Sequence, residues 1–291
     1  MISTTSCKIC QKMSRHLFQA EVLCTYQVSY FKCDSCGFVQ TEDPFWLEEA
    51  YTSAISSLDV GLVTRNLELS IETDRVIRKT FNRNGRFVDY AGGYGLLVRM
   101  MRDKGFDFYR EERHCANIFA QNYDVKDIGI DTGFDLLTAF EVFEHWVDPT
   151  LEIKKLFGYA DSILFSTALI PARVAKAEDW WYFVPETGQH ISFFSKKSIE
   201  ILAEKLNCRF HSNRADLHLL TKRNIGDPFL PEKKSILVRA TEKYLRWAAR
   251  SEVPMQSLLA KDFEVARQKA RMSLAENVIT NSIADKRSIT L

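Results

Sequence analysis

Apolar positions along this chain recur with two different periods, and the change from one to the other marks its elements. Phe87 and Val88 have the short, partly β-branched character of a buried strand. Leu96, Leu97, Met100 and Met101 then recur at helical spacing until Gly105 ends the run. The same alternation continues downstream. Phe106 to Glu112 reads as a second strand with acids at its end, Phe134 to Phe140 as a third, 151–157 as a helix and Ser162 to Thr167 as a fourth strand. Strands alternating with helices predict an α/β chain built on an open parallel sheet with helices on both faces.

Either side of this region the periods differ. Val22-Leu23 and Tyr26 to Phe31 suggest a small β-hairpin. Asp43-Pro44 then opens a helix, the acid capping it, with Leu47, Tyr51, Ile55 and Leu58 as its apolar stripe. Asp59 to Gly61 breaks it, and a second helix follows from about Val63 to Phe81. These helices pack beside the central unit, where Tyr51, Arg65 and Asn66 are the polar groups to watch. Beyond Pro228, Ile236, Ala240, Trp247 and Ala248 share one helix face, and Leu259, Phe263, Ala266, Ala270 and Leu274 another. Those stripes need a cover, on this chain or on a second copy in a homodimer. From Thr280 the chain reads as frayed. The expected segments are 1–42, 43–82, 83–225 and 226–291.

Composition narrows the class. Of 291 residues, 46% are hydrophobic, enough for a sizeable core. The 39 basic and 38 acidic side chains leave a formal charge of +1, so no overall field draws the chain to nucleic acid or anionic lipid. No run is long enough to span a membrane, and the first residues lack the basic and apolar regions of a signal peptide, so a cytoplasmic chain is expected.

Four of the seven cysteines form two Cys-x-x-Cys pairs, Cys7 with Cys10 and Cys33 with Cys36, separated by 22 residues. In a reducing compartment such pairs point to metal rather than to disulfides. Two knuckles of two sulfurs each make a closed tetrahedral zinc site, structural because no position is left for water or substrate. About forty residues bury too little apolar surface to fold unaided, so the metal would supply much of the folding energy of this four-cysteine ribbon. Cys24 reads as a core residue, and a redox role for either pair is the minor alternative.

Gly92-Gly93-Tyr94-Gly95 joins the first strand to its helix. Glycine there lets the backbone turn sharply and a ligand come close, and the following helix offers free N–H groups to it. By itself the turn is ambiguous between ligand cradle and tight bend. Glu112 lies 23 positions after Asp89, near the offset at which an acid grips a ribose in dinucleotide-binding folds. The order of Asp89-x-Ala91-Gly92-Gly93-x-Gly95, an acid ending the next strand, Phe134 to His145 with its Glu141-Val-Phe-Glu144-His145 strand end, and then Pro149, resembles the class I S-adenosylmethionine-dependent methyltransferases. With the cysteine pairs in front, it is similar to bacterial methyltransferases of sugars and small metabolites that carry an N-terminal zinc ribbon.

That resemblance implies a Rossmann-like, mostly parallel seven-stranded sheet, preceded by the ribbon and followed by a helical tail. Phe210 to Ser212 and Leu217 to Thr221 would be the hairpin that adds its antiparallel last strand. The resemblance further implies that Asp89, Ala91, Gly92, Gly93 and Gly95 hold the amino-acid end of S-adenosylmethionine, Glu112 or Glu111 its ribose, and Glu141 another part of the cofactor cleft. Ala91 stands where the family has its first glycine, which requires that its φ stay negative here.

Methyl transfer from a sulfonium chiefly needs an aligned acceptor and a group to take its proton, and histidine suits the second task. His190 and His145 are the two catalytic candidates, each weighed against a hydrogen-bonded core histidine. Trp180, Trp181, Tyr182, Glu186 and Gln189 lie in the segment after the fourth strand, where an open sheet binds its ligands, and aromatic faces there suit a sugar-like acceptor, seal the cofactor or simply pack. His145 with Glu141 or Glu144 and Asp89 is a lesser magnesium reading, since carboxylates near a cofactor are more often hydrogen-bond acceptors. The leading expectation is methyl transfer to a small hydroxylated acceptor, a sugar, nucleotide-sugar or glycan precursor. Its rivals are a chemically silent body carrying a ribbon that reads nucleic acid or protein, and a nicotinamide oxidoreductase, which the glycine spacing disfavours.

Overall fold

The computed structural model describes residues 4–51 and 56–231, together with 261, 263–265, 267–269, 271 and 272. In chain order the strands are β1 (Thr4–Ser6), β2 (Met13–Val22), β3 (Tyr26–Cys33), β4 (Val39–Thr41), β5 (Arg86–Tyr90), β6 (Asp107–Glu111), β7 (Leu136–Phe140), β8 (Ser162–Ser166), β9 (Ser192–Phe193), β10 (Arg209–Ser212) and β11 (Leu217–Thr221). The helices are α1 (Leu47–Ala50), α2 (Leu62–Thr80), α3 (Leu96–Asp103), α4 (Val125–Ile128), α5 (Pro149–Leu156) and α6 (Lys196–Lys205).

The strands form two sheets. The central one has the order β10-β11-β8-β7-β5-β6, with parallel pairing from β8 to β6 and antiparallel pairing of β11 with β8 and of β10 with β11. Every residue of β8 is buried, as is Phe87-Val88-Asp89 in β5, because strands covered on both faces have no solvent side. On α3, Leu97, Val98 and Met101 turn inward. Asp148 accepts the Leu151 N–H at 3.0 Å and Pro149 follows it, so α5 starts where the sheet's loop ends.

Six strands, and not seven, make up this sheet among the described residues. At the outer edge of β6 the chain adds a single parallel bridge of Asp124 with Arg110, where a further strand would lie. The reason is local. Asp124 donates its N–H to the Asp127 carboxylate at 2.9 Å and so begins α4 at once, leaving no residues to extend the pairing.

The second sheet contains the expected hairpin, β2 paired antiparallel with β3, and extends it on both sides. Its order is β1-β2-β3-β4-β9, and β9 arrives from beyond the parallel sheet to pair antiparallel with β4. One apolar core therefore contains Cys7, Ile9, Cys33, Cys36 and Phe38 of the ribbon with Phe143, Phe165, Phe194 and Ile199 of the α/β region.

Two local expectations change. The helix expected from Asp43-Pro44 shrinks to the four residues of α1, with Trp46 at its start and no side-chain cap. Trp46 is pinned instead, its indole N–H donating to the Gly188 carbonyl at 2.8 Å, and this tertiary anchor overrides the local cap. Ile55 lies outside the described residues, as do Ile236, Ala240, Trp247, Ala248, Leu259, Ala266, Ala270, Leu274 and the stretch from Thr280. Phe263 and the other described positions between 261 and 272 are helical. No helix among the described residues is long and apolar enough to cross a membrane.

Candidate active site

The carboxyl ends of β5, β6 and β7 open into a cavity of about 740 Å³. At one end lies the glycine turn. Asp89, buried, accepts the Thr138 hydroxyl at 2.6 Å from the neighbouring strand, and burial pushes its carboxyl up to about 7. Ala91 adopts φ +53°, against the expectation of a negative angle, so this alanine holds the left-handed bend the family's glycine would hold. Gly92 is required by space: a Cβ would stand 2.7 Å from the Asp89 carboxylate and 2.9 Å from Arg110 Cγ. Gly93, at φ +54°, has nothing within 4 Å of a built Cβ and borders the open cavity. Gly95 differs from both. It starts α3 at φ +85° with its would-be Cβ 2.8 Å from the Asn117 side chain, behind the turn, and does not line the cavity.

Glu112 closes across this turn. Its Oε2 accepts the Gly93 N–H at 3.1 Å, and its Oε1 accepts the N–H groups of Arg113 and His114, each at 2.7 Å. Glu112 lines both this cavity and a neighbouring one of about 620 Å³, whereas Glu111 lines only the second and pairs with Arg113 at 3.4 Å. Arg110 is not singled out by the sequence, yet it holds the turn in place. Almost fully buried, it forms a two-point pair with Asp124 (2.7 and 3.2 Å) and donates to the carbonyls of Gly93 (2.5 Å) and Cys115 (3.2 Å). An arginine at the inward phase of a strand, two after buried Phe108, is the signal that could have marked it.

The β7 end supplies the opposite wall. Glu141, at φ +55°, receives the Ser166 hydroxyl on Oε1 at 2.7 Å, while its own N–H donates to that hydroxyl oxygen at 2.8 Å. Burial raises its carboxyl, and Arg65 partly offsets the rise. Arg65, on the first turn of α2, grips Asp59 with two hydrogen bonds (2.9 and 2.7 Å) and lines the cavity beside Asn66 and Tyr51.

His145 and His190 meet at this end, their rings 5.0 Å apart and nearly perpendicular. His145 Nδ1 lies 3.1 Å from the Gln189 carbonyl and His190 Nδ1 2.6 Å from the Tyr182 carbonyl. A carbonyl only accepts, so each Nδ1 carries the proton and each Nε2 keeps its lone pair. Burial pushes His145 down to about 3 and His190 to about 4, so both are neutral near pH 7. Glu144 is completely buried beside them, and burial, followed by repulsion from Glu141, holds its carboxyl well above the usual range. Asp89 lines the far glycine-turn end rather than joining this group, so the magnesium set with Asp89 is not assembled.

The expected acceptor wall divides. Trp181, Tyr182 and Gln189 line the cavity, Trp181 being 73% exposed and Tyr182 buried. Trp180 and Glu186 do not. Trp180, itself in extended backbone just before a short turn of Trp181–Phe183, packs at 8% exposure against Phe183 and Phe193, while the next ring, Trp181, faces outward. Glu186 is buried and bound by Arg267 at 2.7 Å and by Arg271, so it anchors the later helical segment. Phe263 of that segment reaches the cavity.

Away from the cavity, the four paired cysteines gather as the sequence implies. Their sulfurs all lie within 4.8 Å of one another, with Cys7 to Cys36 at 3.6 Å and Cys10 to Cys33 at 3.4 Å. A tetrahedron with Zn–S bonds of about 2.3 Å needs about 3.8 Å between sulfurs. Gln11 and Gly37, each just after a pair, take positive φ and complete matching knuckles.

Comparison with known proteins adds three findings. A family described as "Methyltransferase domain" matches residues 65–213, just over half of the chain. No curated protein sequence matches. Among solved structures, the chain is similar to a mitomycin 7-O-methyltransferase (14% identity, TM-score 0.36, 62% of this chain and 68% of that one). It is similar to human N-acetylserotonin methyltransferase in complex with SAM (14%, 0.41, 62% and 59%). A third is an O-methyltransferase from neocarzinostatin biosynthesis in complex with SAM and 2-hydroxy-5-methyl naphthoic acid (11%, 0.38, 60% and 59%). The chain spans between 59% and 68% of the length of these three structures.

Proposed function

The chain belongs to the methyltransferase-domain family matched over residues 65–213, and from that premise we propose that it transfers a methyl group from S-adenosylmethionine to a hydroxyl of a small acceptor, a sugar, nucleotide-sugar or glycan precursor. One observation carries this reading: a single cavity joins the Asp89 to Gly93 turn and Glu112 at one end to the Nε2 lone pairs of His145 and His190 at the other. The amino-acid end of the cofactor would sit over Gly92 and Gly93, near Asp89 and the start of α3. Glu112 would exchange its bond to the Gly93 N–H for the ribose hydroxyls. The acceptor would rest against Trp181, Tyr182 and Gln189, in line with the methyl, and such alignment supplies most of the rate. A neutral imidazole, His190 or His145, would take the acceptor's proton. The four-cysteine knuckles would hold a structural zinc, for which their sulfur spacing is suited.

Calorimetry on the zinc-loaded protein tests the cofactor. S-adenosylmethionine is expected to bind with Kd on the order of micromolar, and Gly93→Arg, which fills the open side of the turn, to abolish binding. No heat from the wild-type protein would overturn the reading.

A further inference from the structure

Glu144, His145 and His190 present their donor atoms within 4.8 Å of one another at the acceptor end of the cavity. The histidines are prepared in a particular way. Each Nδ1–H is fixed by a backbone carbonyl, Gln189 for His145 and Tyr182 for His190, which leaves each Nε2 lone pair available to a ligand. His145 Nε2 stands 3.9 Å from Glu144 Oε1. Glu144 itself has no exposed surface, and among the described residues neither carboxylate oxygen has a hydrogen-bond partner.

A proton-accepting histidine pair explains the imidazoles but not that carboxylate. Burying a carboxyl with both oxygens unpaired is costly. A carboxyl beside two imidazoles and the Tyr182 hydroxyl can take a proton or a cation as its complement, and the imidazoles favour the cation. We propose that Glu144, His145 and His190 bind a divalent first-row transition ion, of the manganese, iron or zinc kind, with its remaining coordination positions open to the cavity. Two imidazoles and one carboxylate suit these ions better than calcium or magnesium, which favour all-oxygen shells. Bonds of about 2.1 Å place neighbouring ligand atoms about 3–3.5 Å apart, so the three side chains need to close by about an ångström.

The ion's chemical role rests on the methyl-transfer reading, while its binding does not. His145 and His190 both line the cavity, so the open positions face the acceptor's hydroxyl. Bound there, the hydroxyl oxygen becomes more acidic. Its proton passes to the Glu141 carboxylate, which borders the same cavity. The oxygen lone pair forms the new bond to the methyl carbon as the carbon–sulfur bond breaks, and that electron pair stays on the sulfur, which becomes a neutral thioether. The imidazoles then act as ligands rather than as bases.

The test is a Mn²⁺ titration of the zinc-loaded full chain, followed by electron paramagnetic resonance of free Mn²⁺, with S-adenosylmethionine binding measured separately by calorimetry. One saturable Mn²⁺ per chain is expected, weakened roughly tenfold or more by Glu144→Gln and by His190→Gln, each checked for folding by circular dichroism. The histidine variant keeps the test open should the buried acid prove necessary for folding. Absence of saturable Mn²⁺ binding in a protein that binds the cofactor overturns the cation site and leaves the methyl-transfer reading intact. Mn²⁺ binding that both folded variants retain also overturns it, since the ion then sits elsewhere. Mn²⁺ binding that both variants lose, in a wild-type protein that ignores the cofactor, supports the cation site and removes the methyl-transfer reading instead.

Discussion

Ala91 shows how a single backbone angle can carry a site. A non-glycine residue in the left-handed region costs about 1 kcal/mol, and Ala91 accepts that cost at φ +53° while its N–H donates to the Glu111 carbonyl at 2.8 Å. Ala91→Gly should therefore raise stability by about 1 kcal/mol in urea melts, and an unchanged or lower midpoint would show that the bend is not strained. Asp89 gives a second residue-scale expectation. Its folded pKa, about 7, lies above the ordinary value of 3.8, because burial disfavours the charge. Its contribution is thus fully present below about pH 4 and is lost as pH rises through about 7. Asp89→Asn keeps an acceptor for the Thr138 hydroxyl and removes the titration. Melts between those limits should show the wild type losing stability, on the order of 4 kcal/mol, that the variant does not lose. Equal slopes in the two proteins would refute the raised pKa. Gly92, Gly93, Asp89 and Glu112 could be placed from the sequence: Asp89, Gly92 and Gly93 lie within one short stretch at the end of β5, and the regular succession of strand, helix and strand that was legible there brings Glu112, just past β6, against that turn. Arg110 could not, since its partners Asp124, Gly93 and Cys115 come together only when the sheet forms.

Elements were readable where one face dominates. The helix expected from about Val63 to Phe81 is α2, Leu62–Thr80, and the strands expected near Phe87, Phe106, Phe134 and Ser162 all form. What the periodicity missed was decided by contacts far along the chain. Trp46 reaching Gly188 cut short α1, and Asp124 starting α4 removed a strand from the sheet. The run from Trp180 to Tyr182 shows the same limit, because which of three adjacent aromatics faces the cavity depends on a tight turn with no periodic signature. Glu186, expected as an acceptor contact, is the docking point of the helical positions around Arg267 and Arg271. Removing it should free that segment. Glu186→Ala leaves both guanidiniums without their buried partner, and a buried pair broken on one side is costly. Faster amide exchange across 261–272, with exchange in β5 and β7 unchanged, is the expected result; protection equal to wild type would mean that Phe263 and its neighbours dock without the pair.

At the scale of the whole molecule, the ribbon is part of the body it precedes. The four-cysteine knuckles share a core with Phe143, Phe165 and Phe194, the Ser195 hydroxyl donates to the Cys36 carbonyl at 2.5 Å, and Lys205 donates to the Ile9 carbonyl at 2.5 Å. Strand β9, which closes the ribbon sheet, begins two residues after His190. Loss of the four-sulfur site would therefore reach the His190 end of the cavity through β4 and β9. A ribbon hung on a linker would melt by itself, whereas a ribbon sharing a core melts with everything that core touches. Cys36→Ser is expected to produce a single calorimetric transition displaced downward by about 10 °C or more, given that each kcal/mol moves a domain of this size by about 2–4 °C and structural zinc supplies several. Cofactor binding at the distant Gly93 turn should survive below that transition, while contacts that depend on His190 weaken. Two resolved transitions, the lower one confined to the variant's ribbon, would instead show that the shared core transmits little, and the His190 end should then keep its geometry without the metal.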